Sequence, residues 1–268
     1  MRVYLLAVAV LCGVGVNAQE LFVFTEPASN MAAKSIGLRL NNYLMEEKNS
    51  SFINYHLVPE VMVGVSKNIM VHGDLFLSNR NRSVSAEGGS VYFKYRFYSN
   101  DDVQQHFRMA AFARGSYNNS DVHQEEINLY GYNSGVETGV VATQLLHKVA
   151  LSTALSFVKA TDNGNNKFLY GSDHSKALNY TLSFGKLMLP KEYKDFGQTN
   201  LNLMLEFLSQ FNFSGKYYVD VAPSVQLIFN SRTRVDVGYR QELGTTLLRT
   251  APNGVFVRLE YNLFNAWK

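Results

Sequence analysis

The sequence predicts an all-β chain that folds as an antiparallel up-and-down transmembrane β-barrel of about twelve strands. Three observations predict it: an N-terminal export signal, repeated alternation of apolar and polar residues, and connections that alternate between short and long. After the N-terminus, no stretch has the roughly 20 consecutive apolar residues that a membrane-spanning helix needs. A closed barrel is the other structure that hydrogen-bonds every backbone polar group inside a bilayer.

The first 18 residues are predicted to be a secretory signal peptide. Arg2 gives a basic start, residues 3–16 are apolar, and Ala18 ends a cleavage site of small or short residues. The only cysteine of the chain, Cys12, lies in this apolar run, so we expect no disulfide in the mature protein. Cleavage near Ala18 leaves a periplasmic N-terminal segment, residues 19–33, and one transmembrane barrel, residues 34–268.

Within this N-terminal segment, residues 25–31 precede the first predicted strand and contain Pro27 and Ser29. We expect an ordinary periplasmic extension here. The alternative is that the segment folds into the barrel lumen as a plug.

Alternation with a period of two runs through most of the chain. In the clearest case Val91, Phe93 and Tyr95 share one side of a strand, while Lys94 and Arg96 share the other. Successive side chains of a strand point to opposite faces, so this segment has an apolar face and a charged face. The same pattern predicts strands at residues 36–41, 55–65, 69–77, 87–98, 107–114, 136–140, 149–157, 178–184, 200–207, 217–229, 234–240 and 255–263.

The lengths of the connections support this assignment. Those after even-numbered strands are short, at residues 66–68, 146–148 and 230–233. Those after odd-numbered strands are long, at residues 116–134, 160–176 and 242–254. Outer-membrane barrels have short periplasmic turns and long external loops, so both chain ends are expected in the periplasm. Residues 185–199 do not fit, because they follow an even-numbered strand and form a long connection; a short helix or an extended barrel wall would explain them.

Three segments carry a resemblance to a known family: residues 24–31 (FTEPASNM), 94–102 (KYRFYSNDD) and 179–191 (NYTLSFGKLMLPK). They resemble an uncharacterised Bacteroidota outer-membrane β-barrel family over most of the mature chain, which implies the fold and the location. More distantly, the chain is similar to twelve-stranded small-solute transporter barrels, a likeness of architecture that implies little about substrate. The C-terminal strand resembles a barrel-insertion signal, although the chain ends on Lys268 instead of an aromatic residue.

The polar strand faces would line the lumen of a closed barrel, and their charges are nearly balanced. The predicted lumen residues are Arg39, Glu60, Asp74, Lys94, Arg96, Arg108, Arg114, Glu137, Glu206, Asp220, Arg234, Asp236, Arg240, Arg258 and Glu260. One interpretation is a lumen stabilised by ion pairs. The other is a charged constriction, with basic residues of the fourth and fifth strands facing acidic residues of the last three and a transverse field that selects solutes.

A compact run in the longest external connection suggests a metal site. Asp121, His123, Glu125 and Glu126 offer the oxygen and imidazole ligands that divalent metals use. The spacing matches no standard motif, and the alternative is an ordinary solvated polar loop. No cofactor is predicted.

We predict a passive outer-membrane channel or transporter for small solutes, in contact with outer-membrane lipids. Two alternatives stay open: a closed barrel with a structural or ligand-binding role through its external loops, and a soluble secreted β-protein.

No nucleophile-elbow, phosphate-loop or zinc-protease motif is present, so we predict no enzyme activity. A formal net charge of only +3, with both signs mixed along the chain, does not indicate a nucleic-acid partner. The oligomeric state is left open.

Overall fold

The computed structural model describes residues 22–80, 82–102, 105–164, 166–168, 173–191 and 197–267, and the predicted signal peptide lies outside them. The strands are β1 (Ser35–Glu46), β2 (Ile53–Gly64), β3 (Ile69–Ser78), β4 (Ser85–Asp102), β5 (Gln105–Asn118), β6 (Ser134–Leu146), β7 (Val149–Thr161), β8 (Lys176–Leu189), β9 (Asn200–Asn212), β10 (Tyr217–Phe229), β11 (Thr233–Thr245) and β12 (Asn253–Leu263). Each strand pairs antiparallel with its sequence neighbours, and β1 pairs with β12 to close the barrel. This confirms the predicted fold class.

The barrel is apolar outside and charged inside, the reverse of a soluble protein. On β4 the side chain of Phe93 faces outward and is 43% exposed, whereas its neighbour Lys94 faces inward and is 0% exposed. A lysine is almost never fully buried unless it is paired, so the interior must supply partners. Across the described ranges, no helix is both long and apolar enough to cross a membrane.

The two ends of the barrel differ in their connections. Short turns at residues 65–68, 147–148 and 230–232 lie at one end, which we call the turn end. Asn230 and Ser231 both have positive φ, as a tight primed hairpin turn requires. Long connections at residues 119–133, 162–175 and 246–252 lie at the opposite end, which we call the loop end. The alternation of lengths predicted from sequence is therefore present.

The connection expected at residues 185–199 is shorter than predicted. β8 continues to Leu189, because its pairing with β9 extends past a bulge to join Leu189 with Leu201. The connection thus spans residues 190–199, of which 192–196 lie outside the described residues. The sequence left two explanations for this connection, a short helix or an extended barrel wall. The extended wall is correct for residues 185–189.

The structure corrects the expectation for the N-terminal segment. Residues 22–31, which we call the inner segment, lie inside the barrel in its turn-end half instead of forming a free tail. Phe22, Thr25 and Ala28 are at most 2% exposed. The physical reason is that the lumen wall carries charged side chains that bind the backbone of this segment. The plug alternative therefore describes these residues.

A charge on the outer surface should test the orientation of the wall. Val140 lies on the outer face in the middle of β6, so Val140→Arg is expected to lower the free energy of unfolding in phospholipid vesicles by about 2–4 kcal/mol. The control is Val84→Arg in the connection before β4, where a change within about 0.5 kcal/mol is expected. Urea titration of the refolded proteins measures both, and equal effects would contradict a membrane-facing outer surface.

Candidate functional site

The inner segment is bound first through its backbone N–H groups. The carboxylate of Glu206 on β9 accepts hydrogen bonds from three consecutive residues: Val23 at 2.8 Å, Phe24 at 3.1 Å and Thr25 at 2.8 Å. Glu206 is itself fully buried. Hydrogen bonds to a charged group contribute about 1.5–3 kcal/mol each, so this carboxylate is a principal anchor of the segment.

Two arginines bind carbonyl groups of the same stretch. Arg234 on β11 and Arg258 on β12 both donate to the carbonyl oxygen of Phe22, at 2.9 and 3.2 Å. Arg258 also donates to the carbonyl oxygen of Val23 at 2.6 Å. The first residues of the inner segment are therefore held between a carboxylate that accepts and two guanidinium groups that donate.

Lys94 on β4 anchors the second half of the segment. Its Nζ donates to the carbonyl oxygens of Pro27 and Ser29, at 2.7 and 2.8 Å, and lies 3.5 Å from the Glu26 carboxylate. Glu26 also lies 3.7 Å from Arg39 on β1. These contacts explain how a fully buried lysine is tolerated, since its charge meets one carboxylate and two carbonyl dipoles.

Apolar side chains of the inner segment fill recesses that are lined mainly by alanine, methionine and small aliphatic residues. The first recess holds Phe22 and Val23 against Ala150, Met204, Ala222 and Phe256. The second holds Ala28 against Ala110 and Val141, and the third holds Met31 against Met62 and Met70. These recesses fix the side chains of the segment while the charged groups bind its backbone.

The longest connection enters the lumen from the loop end. Residues 119–133, which we call the inner loop, fold inward between β5 and β6. Gln210 on β9 exchanges two hydrogen bonds with the backbone of Ile127, at 2.9 and 2.8 Å. The hydroxyl of Tyr130 donates to Glu60 on β2 at 3.1 Å. The loop therefore reaches from one wall of the barrel to the other.

Carboxylates at the start of the inner loop are neutralised by cations. Glu126 lies 2.6 Å from Arg249 and 3.4 Å from Arg240, and Glu125 lies 2.6 Å from Lys216. Burial raises the pKa of the Glu126 carboxyl, but the charges of Arg249 and Arg240 outweigh it and hold the pKa below its usual range. Likewise the pKa of Glu125 is lowered, since hydrogen bonds from Lys216 and the Leu248 amide outweigh burial.

Most of the predicted lumen charges do face the interior. Those that are buried there are Arg39, Glu60, Asp74, Lys94, Glu206, Asp220, Arg234, Asp236, Arg240, Arg258 and Glu260. Arg114 and Glu137 are half-buried on the same wall. Arg96 and Arg108 lie near the turn end, where Arg96 bonds the Lys67 carbonyl. Arg108 bonds Asp101 and also donates to the Ser29 hydroxyl of the inner segment at 3.0 Å.

The charges pair locally, which favours the ion-pair interpretation over the transverse field. Arg39 lies 3.2 Å from Glu60 and 3.0 Å from Glu260, on the two neighbouring strands. Arg114 lies 2.6 Å from Asp74. The same holds across the barrel, where Arg240 pairs with Asp220 at 2.6 Å and Arg234 pairs with Asp236 at 2.8 Å. Close pairs cancel most of each other's field, so the ion-pair interpretation fits the geometry.

The four residues proposed for a metal site do not converge. The side chains of Asp121 and His123 are exposed and stand 4.0 Å apart, whereas Glu125 and Glu126 turn inward to the cations described above. Within the described part of the chain, no group of three or more possible ligands is suitably placed for a metal ion. Adjacent residues of this loop point in opposite directions, which the linear spacing did not reveal.

An internal cavity of about 260 Å³ separates the inner segment from the inner loop. Phe24 and Glu26 line its turn-end side, and Leu129 and Tyr130 line its loop-end side. The wall contributes charged, aromatic and hydroxyl-bearing side chains, among them Arg114, Glu137, Tyr92, Phe112, Ser156 and Thr181. Two insertions therefore narrow a lumen that still holds room for a small molecule between them.

Sequence reasoning missed two members of this site. Arg249 lies in the connection before β12 and bonds Glu126, Asp220 and Glu242. Glu26 lies in the inner segment and approaches Arg39. Both fall outside the alternating strands, so the period-two pattern carries no signal for them. A charged residue between Leu248 and Thr250 has no local signal that it is buried.

Comparison with known proteins supports the fold. No protein-family model matches the chain, and no curated protein matches its sequence significantly. Among solved structures it is similar to an outer-membrane channel from Pseudomonas putida F1, with a TM-score of 0.55 and 10% identity over 90% of this chain and 99% of that chain. It is also similar to OprD of Pseudomonas aeruginosa, at a TM-score of 0.38 and 9% identity over 90% and 99% of the two chains. Its similarity to OmpF of Salmonella typhi has a TM-score of 0.39 and 10% identity over 85% of this chain and 97% of that chain.

At these identities the similarity shows the fold alone, and the two TM-scores below 0.5 carry no argument. The distant likeness to outer-membrane channel barrels expected from sequence is thus confirmed at the level of architecture. The closer likeness to a Bacteroidota family and the expected lack of enzyme activity stay predictions. The chain has the fold of an outer-membrane β-barrel channel.

Replacing Glu206 should loosen the inner segment. Glu206→Gln removes the charge that accepts three backbone hydrogen bonds, so amide hydrogen exchange of residues 22–29 is expected to rise at least tenfold. Hydrogen-exchange mass spectrometry of the refolded barrel measures this rate. The control is Glu137→Gln, another lumen carboxylate, which accepts hydrogen bonds from Ser156 and Asn179 and not from the segment. Equal exchange in both variants would contradict the anchoring role.

Acid should release the inner loop. The pKa values of Glu126 and Glu125 are lower in the folded protein than in the unfolded chain. Their contribution to the stability of the inner loop is therefore present above about pH 4.3, and it is lost as pH falls through the folded pKa. Exchange protection of residues 124–130, corrected for the intrinsic rate, should therefore fall below pH 4. Glu126→Gln should lower this protection at pH 7 and reduce its acid dependence, whereas Glu46→Gln, at an exposed carboxylate, should change neither. Protection that stays constant from pH 7 to 3 would contradict this account.

Proposed function

We propose that this protein is a passive channel for small solutes in the bacterial outer membrane, and that the inner segment and inner loop close it in the present state. The observation that carries the proposal is the width of the lumen. It holds an extended stretch of chain, an inward-folded loop and a cavity of about 260 Å³, so wall side chains alone do not fill it. A packed barrel with a purely structural role has no need of such space.

The inner segment is suited to leave the lumen without damage to the barrel. In the described part of the chain, no backbone-to-backbone hydrogen bond joins residues 22–31 to a strand. Release therefore breaks side-chain contacts only, and all the strand pairings survive. The predicted cleavage near Ala18 leaves the mature chain a free end a few residues before Phe22, so withdrawal requires no threading of a closed loop.

The proposed location follows from the surface of the barrel. Apolar side chains such as Leu155 on β7 and Leu259 on β12 face outward and are exposed, and they suit a lipid environment. The turn end would face the periplasm and the loop end the exterior. In this orientation the inner segment closes the channel from the periplasmic side, and the inner loop narrows it from outside.

Deletion of residues 22–31 should open the channel. The full protein, refolded and inserted into planar lipid bilayers, is expected to show rare and brief conductance steps, because the segment must leave before ions pass. The deletion variant should show sustained steps at the same voltage. Glu206→Gln, in which the segment is weakened and not removed, should lie between the two, and Glu137→Gln should behave like the full protein.

Folding of each variant is checked by the heat-dependent gel mobility of the closed barrel. Steps that are equally frequent in the full protein and the deletion variant would contradict the gating role. If the folded deletion variant shows no steps at all, the channel proposal fails. The alternative, a closed barrel that binds ligands through its external loops, would then be favoured.

A further inference from the structure

The inner segment is bound mainly as a peptide backbone. Along residues 22–29, polar contacts from the wall to main-chain atoms outnumber those to side-chain groups, which involve Thr25, Glu26 and Ser29. Glu206 accepts the N–H groups of residues 23–25, and Thr143 accepts the N–H of Ala28 at 2.9 Å. The carbonyl oxygens of residues 22, 23, 27 and 29 are bound by Arg258, Arg234 or Lys94.

Such contacts do not depend on the sequence of the bound segment. Every peptide carries the same N–H and carbonyl groups at the same spacing along its backbone. A carboxylate that spans three consecutive N–H groups, with guanidinium groups on the adjacent carbonyls, matches that repeat. An aromatic acid has no row of N–H donors, and it would leave Glu206 with the Ser183 hydroxyl as its donor. A sugar offers hydroxyl donors, but they do not repeat at the spacing of a peptide backbone.

The recesses for side chains are permissive as well. Alanine, methionine and phenylalanine line the one that takes Phe22 and Val23. Methionine adapts to different apolar shapes, so side chains of several sizes can be received there. One specific polar contact exists nearby, in which Ser183 donates to the Thr25 hydroxyl at 2.7 Å.

We propose that the lumen is a binding site for short peptides and that the inner segment occupies it as an internal ligand. The inference rests on the proposed function, because it names the class of solute that this channel would carry. The bound peptide is non-helical and held by Glu206, Arg234 and Arg258 at one end of the site and by Lys94 at the other. The densest contacts cover residues 22–25, so a tetrapeptide is long enough to make them.

The test needs the full chain with the site vacant. Phe22→Asp combined with Ala28→Asp places two carboxylates in apolar recesses, which should expel the inner segment while every wall residue is kept. Hydrogen exchange of residues 22–31 confirms release, and heat-dependent gel mobility confirms the closed barrel. Binding is then measured at equilibrium in detergent, with tetra-alanine as the probe.

Tetra-alanine should bind saturably to the released variant, and at least tenfold more weakly to the unaltered protein, in which the inner segment competes. Two matched controls test the mode of binding. Tetra-alanine methylated at its three amide nitrogens has no amide N–H groups to donate. Adding Glu206→Gln removes the negative charge and one of the two acceptor oxygens, so each change should weaken binding at least tenfold. Adding Glu137→Gln should have no effect, because this carboxylate does not touch the segment.

The inference is overturned if N-methylated tetra-alanine or maltotriose binds as tightly as tetra-alanine, or if the released and folded variant binds none of them. Conductance is recorded separately with the same variant. Conductance without peptide binding would overturn the inference and leave the channel proposal standing. Peptide binding without conductance would support the site and count against the channel.

Discussion

Burial of charge in the lumen is the constraint on which this structure depends. A charged side chain removed from water must meet an opposite charge or hydrogen-bonding dipoles, or its burial is strongly unfavourable. Arg39, Glu60 and Glu260 meet this requirement within the wall. Glu206 and Lys94 meet it through backbone groups of the inner segment. The segment is therefore part of the electrostatic balance of the barrel as well as an obstruction in it.

The same constraint explains why chain segments enter the lumen from both ends. Arg240 and Asp220 belong to the wall, yet their network is completed by Glu126 of the inner loop and Arg249 of the last connection. Each insertion brings polar groups that the wall needs. The inner segment is held by side chains instead of strand pairing, and the inner loop adds to its side-chain contacts backbone bonds from Asn119 to Glu87 and from Glu125 to Leu248. Elements held in this way can separate from a barrel whose backbone pairing stays complete, which is the property a gate requires.

Sequence patterns predicted the barrel well, because alternation indicates directly which face of a strand points out of the barrel and which points into it. Lys94 was placed in the lumen for this reason, and it is there. Its partners were not predictable, because Pro27 and Ser29 lie far from Lys94 in the sequence. They also bind through backbone carbonyls, which every residue has, so their residue types do not mark them as partners. Glu125 and Glu126 show the opposite error: a compact run suggested one site, but the loop turns the two carboxylates to different cations. Local spacing predicts periodic structure, and it does not predict which distant residues a loop meets.

The central claim is that residues 22–31 occupy the lumen, and a cysteine cross-link tests it most directly. Ala28 packs against Val141 of β6, and the sole cysteine of the chain, Cys12, belongs to the predicted signal peptide. With Cys placed at positions 28 and 141, mild oxidation of isolated membranes should form a disulfide that mass spectrometry detects, since packed neighbours can reach the required geometry. Cys at positions 28 and 160 should not cross-link, because Ala160 packs in a separate cluster near the loop end. Equal cross-linking of both pairs, or none at 28 and 141, would contradict the claim.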